Sequence, residues 1–311
     1  MSFIYPNLEC VGYLLVNRIK INNANAISSP LTYGFPAITG FTGAIHALSR
    51  KIGDIDGLNN VRLDGVLIAC FDCQPQIYRE SDYKDFSFIQ TRNPIKKDGK
   101  TASIIEEGRC HLTVSLAIGV YADDDLSDDE QTKLTASVWR LIQQQRIAGG
   151  SVVGLAYNNP VQFYKGADVN EMTPYLLPAF VLIDAFEQLQ AITSELKAND
   201  PTTTALDALL ETATLHHIPS DETGREWTTT SVKKGRGWLV PIPVGYQAIS
   251  PQFDQGQMQH SRNNQYPSQY VECIYSLGKW VFPHSIEHLA RAFWYQKYDA
   301  ENGLYLVAQT D

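Results

Sequence analysis

The sequence predicts an α+β fold, on three observations. Apolar residues in the first half switch between strand and helix periods in the order β-α-β-β-α-β. A polar, turn-bearing segment at about 84–106 interrupts that order as one long hairpin. The second half mixes short strand and helix patterns and carries no internal repeat.

Each element has a local reason. Residues 11–21 (VGYLLVNRIKI) read as a strand that holds two polar positions, Asn17 and Arg18. Residues 22–36 follow as a loop longer than a strand-to-helix connection needs. That run has no carboxylate, is dense in amide and hydroxyl groups, and is punctuated by Pro30, Gly34 and Pro36. A loop so built reads as a binding segment. Residues 37–52 form a helix with Phe41, Ile45 and Leu48 at i, i+4 and i+7. Arg50 and Lys51 suit its C-terminal end. Gly40 and Gly43 would let it pack closely on a sheet.

Residues 61–78 give the second strand, with 66–69 as its buried part. Segments 86–89 and 102–105 flank a basic tip, Arg92-Asn93-Pro94-Ile95-Lys96-Lys97-Asp98-Gly99-Lys100, in which Asp98-Gly99 is a strong turn signal. Residues 111–120 form the third strand. The acidic run 123–130 opens a helix that continues to about 147, with Leu134, Val138, Leu141 and Ile142 as its stripe. Gly149-Gly150-Ser151 ends it, and 151–157 is the fourth strand. This order is ferredoxin-like, the split βαβ pattern of RRM-like domains. We expect that core over 1–165 and an irregular α+β part over 166–311 packed on it. Within the latter, 179–183 reads as a strand, and 185–196 and 204–216 as helices. Asp200-Pro201 and 221–224 punctuate. Pro241 and Pro243 make 238–244 an edge strand. Residues 252–269 form an amide-rich, mobile loop, and 284–298 an aromatic closing helix.

Net charge is −9 and pI about 5.3, which argues against a free-standing nucleic-acid binder but leaves room for one basic groove. Five cysteines, an odd number, read as reduced thiols of a cytoplasm. Residues 1–7 lack the features of a signal peptide, and no run of about 18 apolar residues predicts a membrane span.

No metal, cofactor or catalytic constellation emerges. Cys70 and Cys73 lie three apart in a strand, hence on opposite faces, with no second cysteine pair. Gly99-Lys100-Thr101 has Pro94 where a phosphate-binding loop needs glycine. Gly149-Gly150-Ser151 lies on a helix-to-strand turn, the wrong sense for a nucleophile elbow. His216-His217 has no carboxylate motif beside it, and His46 has no partner visible from spacing.

Clusters of amides, hydroxyls and arginines are present instead. Arg18 stands with Asn22, Asn23, Asn25, Ser28 and Ser29, and Phe35 is an aromatic of the same run. Capping and local turns explain one or two of these, not all. The hairpin tip offers Arg92, Asn93, Lys96 and Lys97, for which a solvated, blunted end is an equal reading. Arg109 lies in the strand running back from that tip. Arg146 precedes Gly149-Gly150, which permit close backbone approach, although dipole complementation at a helix end carries more weight. Arg236 sits in the basic glycine turn 233–237, which a routine surface hairpin explains as well. If these converge on the sheet, they form a platform for single-stranded RNA.

The run Asn23-Ala24-Asn25-Ala26-Ile27-Ser28-Ser29-Pro30-Leu31-Thr32-Tyr33-Gly34-Phe35-Pro36 resembles the N-terminal signature of the Cas-five-type, second Csy subunit of type I-F CRISPR surveillance complexes. Thr91-Arg92-Asn93-Pro94 with Asp98-Gly99, Ile105-Glu106-Glu107-Gly108-Arg109, Arg146-Ile147-Ala148-Gly149-Gly150-Ser151, Gly237-Trp238-Leu239-Val240-Pro241-Ile242-Pro243 and Gly303-Leu304-Tyr305 continue it in order. The intervals 157–175 and 252–269 match least, and no role is carried onto them. The resemblance implies a RAMP-type core and a non-catalytic subunit. Such a subunit pairs with the large Csy subunit at the tail of the complex and holds the 5′ handle of the crRNA. Its hairpin acts as a thumb against the RNA and the first copy of the backbone subunit. Target DNA is met indirectly, through the complex and its guide pairing. The resemblance also makes the chain a candidate target of phage anti-CRISPR proteins. Two other readings stay open: a crRNA-processing ribonuclease using His46 or Tyr13, and a protein that binds a polar metabolite.

Overall fold

The computed structural model describes residue 5 and residues 7–156, 158–220, 226–261 and 263–310. The expected strand end at Tyr157 and the turn at 221–224 lie outside the described residues.

Strand β1 (Glu9–Asn25) is longer than the sequence pattern suggested, so Asn22, Asn23 and Asn25 lie in a strand and not in a loop. Register shifts interrupt its pairing between Val16 and Ile19 and between Ile21 and Ala24. Arg18 (φ +45°) and Asn23 (φ +56°) occupy those two irregularities. Such bulges reset the strand's alternation, which masked its true length in the sequence. What remains of the loop is a small hairpin, β2 (Ile27–Ser29) and β3 (Thr32–Tyr33). Helix α1 (Ile38–Gly53) buries Phe41, Ile45, Leu48 and Ile52. A Cβ on Gly40 would come within 2.9 Å of Ala148 Cα, so this glycine does permit close packing.

Strand β4 (Arg62–Pro75) precedes β5 (Ile77–Tyr78), β6 (Ser87–Arg92) and β7 (Ile104–Glu107). Strands β6 and β7 make the expected hairpin, with Arg92 opposite Ile104. Strand β8 (Arg109–Ala122) returns into the sheet. Helix α2 (Asp128–Ile142) starts on a capping box between Ser127 and Glu130. It ends five residues before the expected 147. Arg146 and Ile147 form β9 (Arg146–Ile147), which turns onto β10 (Gly150–Gly154). Arg146 is therefore a strand residue, and dipole complementation does not explain it.

The first four long strands assemble as β10–β1–β8–β4, antiparallel throughout. Helices α1 and α2 cover one face, on Leu14, Val16, Ile68, Leu116 and Ile118. Strand β11 (Val161–Lys165) pairs with β1, and the 3-10 segment Gly166–Leu176 covers the other face. There Tyr13, Leu15, Leu67 and Ala117 meet Val169, Met172 and Leu176.

The remaining elements are β12 (Phe180–Asp184), α3 (Phe186–Asn199), α4 (Ala205–Ala213), β13 (His216–Pro219), β14 (Trp227–Thr230), β15 (Trp238–Ala248), β16 (Val271–Val281), β17 (Trp294–Asp299) and β18 (Leu304–Gln309). They continue the sheet as β4–β17–β18–β15–β16–β12, and β12 returns to β4. One edge of β4 is thus shared, by β17 at Val66 and by β12 at Ala69 and Cys70.

Four expectations change here. The closing aromatic helix is absent: two 3-10 turns lead into β17. Phe293 and Tyr295 bury on one face and Trp294 on the other, a period of two that makes a strand. The helix expected to reach His216 stops at Ala213, and His216 opens β13. The proline half of β15 pairs on one side only, with β16, whereas Gly245 to Gln247 also pair with β18. The edge reading thus holds for the prolines and not for the whole strand. Cys70 and Cys73 share a face, because a register shift between Cys70 and Asp72 resets the alternation. Burial pushes the Cys70 thiol up to about 12, so it stays protonated and inert. In the loop 252–269, Phe253 bridges to Ser268 and packs edge-on against Tyr270.

Candidate nucleic-acid interface

A pocket of about 340 Å³ opens at the base of the β6–β7 hairpin. Asn23, Arg109 and Arg146 line it together with Gln76, Ile89, Thr91 and Glu107. Three strands bring the candidates together. The left-handed bulge of β1 presents Asn23, a conformation that asparagine tolerates better than most residues. Strand β8 starts at Arg109, opposite Asn25. The β9–β10 turn lies against β1, because a Cβ on Gly150 would sit 2.6 Å from Ile21 Cγ2 and 2.7 Å from the Ala24 nitrogen. Close approach of that glycine carries Arg146 to the pocket, and the Asn25 N–H donates to Ala148 O at 2.8 Å.

The polar groups are partly fixed. Gln76 Nε2 donates to Asn23 Oδ1 at 2.8 Å and to His111 Nε2 at 2.9 Å. The Gln76 backbone N–H donates to Arg109 O at 2.7 Å. Arg109 Nε and Nη2 both donate to Glu107 Oε2 at 3.2 Å. That pair is about one-third exposed, so solvent screens it. Arg146 is exposed. Gln76 and His111 were missed by the sequence reading, since neither belongs to a motif and only the strand pairing brings them to Asn23.

Above the pocket, Arg92, Asn93, Lys96 and Lys97 are all exposed on the hairpin. The tip closes through Gly99 N–H to Lys96 O at 2.9 Å and Lys96 N–H to Lys100 O at 3.1 Å, with Gly99 at φ +77°. Lys100 pairs with Asp98 at 3.4 Å, which leaves Arg92, Lys96 and Lys97 as the cations of the tip without an ion pair among the described residues.

Other candidates are used elsewhere. Arg18 lies 4.1 Å over the Phe71 ring, and its Nη2 donates to Leu177 O at 3.2 Å. Asn22 is exposed in β1 opposite Ser151. Ser28 and Ser29 both bond Thr32, so local turn closure explains them. Phe35 stacks on Phe41 and meets Trp280 edge-on at 5.0 Å, as an interior aromatic. Arg236 donates to both carboxylate oxygens of Glu195 at 2.6 Å and to Val232 O, which ties its turn to α3. A separate cavity of about 460 Å³ is apolar and walled by Phe35, Phe180, Trp238 and Trp280.

His46 is exposed on α1, while Tyr13 is buried on the opposite face of the sheet, against Phe293. Burial holds the Tyr13 hydroxyl well above its usual range. The two therefore do not form an acid–base pair. Among the described residues, no group of three or more His, Cys, Asp or Glu is placed to hold a metal ion, and no helix is long and apolar enough to cross a membrane.

The chain falls among CRISPR-associated proteins. The family described as CRISPR-associated protein (Cas_Csy2) matches residues 14–307. CRISPR-associated protein Csy2 of Pseudomonas aeruginosa (strain UCBPP-PA14) is 37% identical over 310 residues, which cover 94% of this chain and 93% of that protein. The chain belongs to the Csy2 family. The second-Csy-subunit resemblance drawn from the motifs is thus met, while these matches do not speak to the Cas-five-type label.

Proposed function

We propose that the chain is a non-catalytic subunit of a type I-F CRISPR surveillance complex and holds the 5′ handle of the crRNA. The observation that carries this reading is the meeting of Asn23, Arg109 and Arg146, from three separate segments, in one pocket below a basic hairpin. The order β10–β1–β8–β4 with two helices on one face supports a ferredoxin-like, RAMP-type core over 1–165, with 166–311 packed on it. The hairpin is its thumb. Family membership supports a place in the Csy complex; the motif resemblance adds the finer reading, a Cas-five-type position beside the large Csy subunit and the first backbone subunit. Target DNA is reached through guide pairing, and the complex works in the cytoplasm, where phage anti-CRISPR proteins would meet it. The acidic net charge of −9 is compatible with this role because Arg92, Lys96, Lys97 and Arg146 still present exposed cations at and above the pocket.

The test is a salt titration of handle RNA binding to the chain co-expressed with the large Csy subunit. Arg146→Ala and Arg92→Ala should each lower the slope of log affinity against log salt by about 0.7. An unchanged slope in both removes the phosphate-binding role. In the same preparation, metal-independent cleavage of repeat RNA that His46→Ala abolishes would overturn the non-catalytic reading.

A further inference from the structure

We propose that Gln76 reads one base of the bound RNA. The pocket at the hairpin base takes a single unstacked nucleotide, whose exocyclic amino group donates to Gln76 Oε1. The inference rests on the RNA-holding role above and assigns a base-reading task within it.

Gln76 is held at three points. Its backbone N–H is bonded to Arg109 O, and its side-chain Nε2 to both Asn23 Oδ1 and His111 Nε2. Both amide hydrogens are thereby engaged, which turns the carbonyl oxygen away from Asn23 and His111. Oε1 has no partner among the described residues, although the residue lines the pocket. His111 Nε2 accepts, so its proton sits on Nδ1, which is buried and unbonded. Gln76 is thus the only hydrogen-bond partner of that imidazole among the described residues. An acceptor with a fixed direction suits the exocyclic amine of adenine, cytosine or guanine, whereas uracil offers only its ring N3–H as a donor, at a different place on the base edge. The surroundings suit a splayed base. Arg109, held by two bonds to Glu107, offers a guanidinium plane for stacking, and half-exposed Ile89 offers an apolar contact. Arg146 supplies the charge for the adjoining phosphate.

The experiment uses the chain co-purified with the large Csy subunit and synthetic handle RNA of its own repeat. Each handle nucleotide is replaced in turn by an abasic residue. At each position that proves sensitive, the amine alone is then removed, with purine riboside for adenosine, inosine for guanosine or 2-pyrimidinone riboside for cytidine. We expect one position where losing the amine weakens binding about five- to tenfold. Gln76→Met should erase that difference and leave the salt slope unchanged. Asn23→Ala, which frees the amide, should shrink the difference to about twofold. The inference is overturned if Gln76→Met keeps the full discrimination. It is equally overturned if the handle binds but no position responds to loss of an amine. Absence of any handle binding defeats the RNA-holding role itself, and the base-reading role with it.

Discussion

In β8, Val114, Leu116, Ile118 and Val120 are buried on one face of the sheet, and Ala117 and Tyr121 on the other. In the hairpin that rises from the same sheet, Ile89, Ile104 and Ile105 are all exposed, and Phe86 is 55% exposed. The sheet is held by packing on two faces. The hairpin joins β5 in a small three-stranded sheet and meets Tyr33 through Phe88, but it buries no packed face of its own, and so small a sheet is marginal in water. Its shape therefore depends on its anchored base, where Gln76 bonds to β8 and Asn23. The contrast separates two kinds of residue: those whose loss unfolds the chain and those whose loss only weakens what the chain holds.

Trp294→Ala probes the packed side hardest. The ring is fully buried and its Nε1 donates to Leu182 O at 2.9 Å. We expect a loss of about 3–5 kcal/mol in denaturant unfolding, because a large cavity is left and Leu182 O keeps only its longer bond, from Gln309 Nε2 at 3.4 Å. A loss under about 1 kcal/mol would break the claim that the second-half strands rest on the same kind of packing as β8. Gly150→Val tests the boundary between the regions. Its side chain would strike Ile21, the Ala24 nitrogen and Asn22 O, so we expect about 2–3 kcal/mol of destabilisation. Because β9 shifts with it, handle affinity should fall as well; full affinity in the folded variant would show that Arg146 need not be held against β1. Lys96→Ala with Lys97→Ala probes the open side. Stability should stay within about 0.5 kcal/mol, while the salt slope for handle RNA drops by about 1.4 for the pair. A fall in melting temperature with no change in slope would reverse the comparison.

The sheet core was legible because its elements repeat one period for long enough. Helix α1 shows Phe41, Ile45 and Leu48 in plain helical spacing, and all three are buried. Where one element buries both faces, periodicity fails. The consecutive aromatics Phe293, Trp294 and Tyr295 read as a helix, yet they lead into and open the strand β17. Bulges hide in the same way, since the shifts at Asn23 and at Phe71 reverse the faces that the sequence assigns. At the site, Asn23, Arg109 and Arg146 stood out as polar residues beside apolar runs, and they do meet. Ser28, Ser29 and Arg236 stood out equally and are consumed by local bonds. Composition cannot tell the two cases apart, because the difference lies in partners far along the chain. Gln76 carries no signal of its own; its position is set by the end of β4 and the bulge of β1.

The shared edge of β4 has a consequence for biosynthesis. Residues near Val66 are made early, yet the strand that covers them begins at Trp294. At about 5–20 residues per second, that edge stays open on the ribosome for on the order of ten seconds or more. During that interval the nascent chain offers a long apolar strand with unpaired backbone groups, the kind of template to which neighbouring chains add. Slow delivery of the C-terminal strands, by rare codons or by stalling, would raise the aggregated fraction without any change in the finished protein.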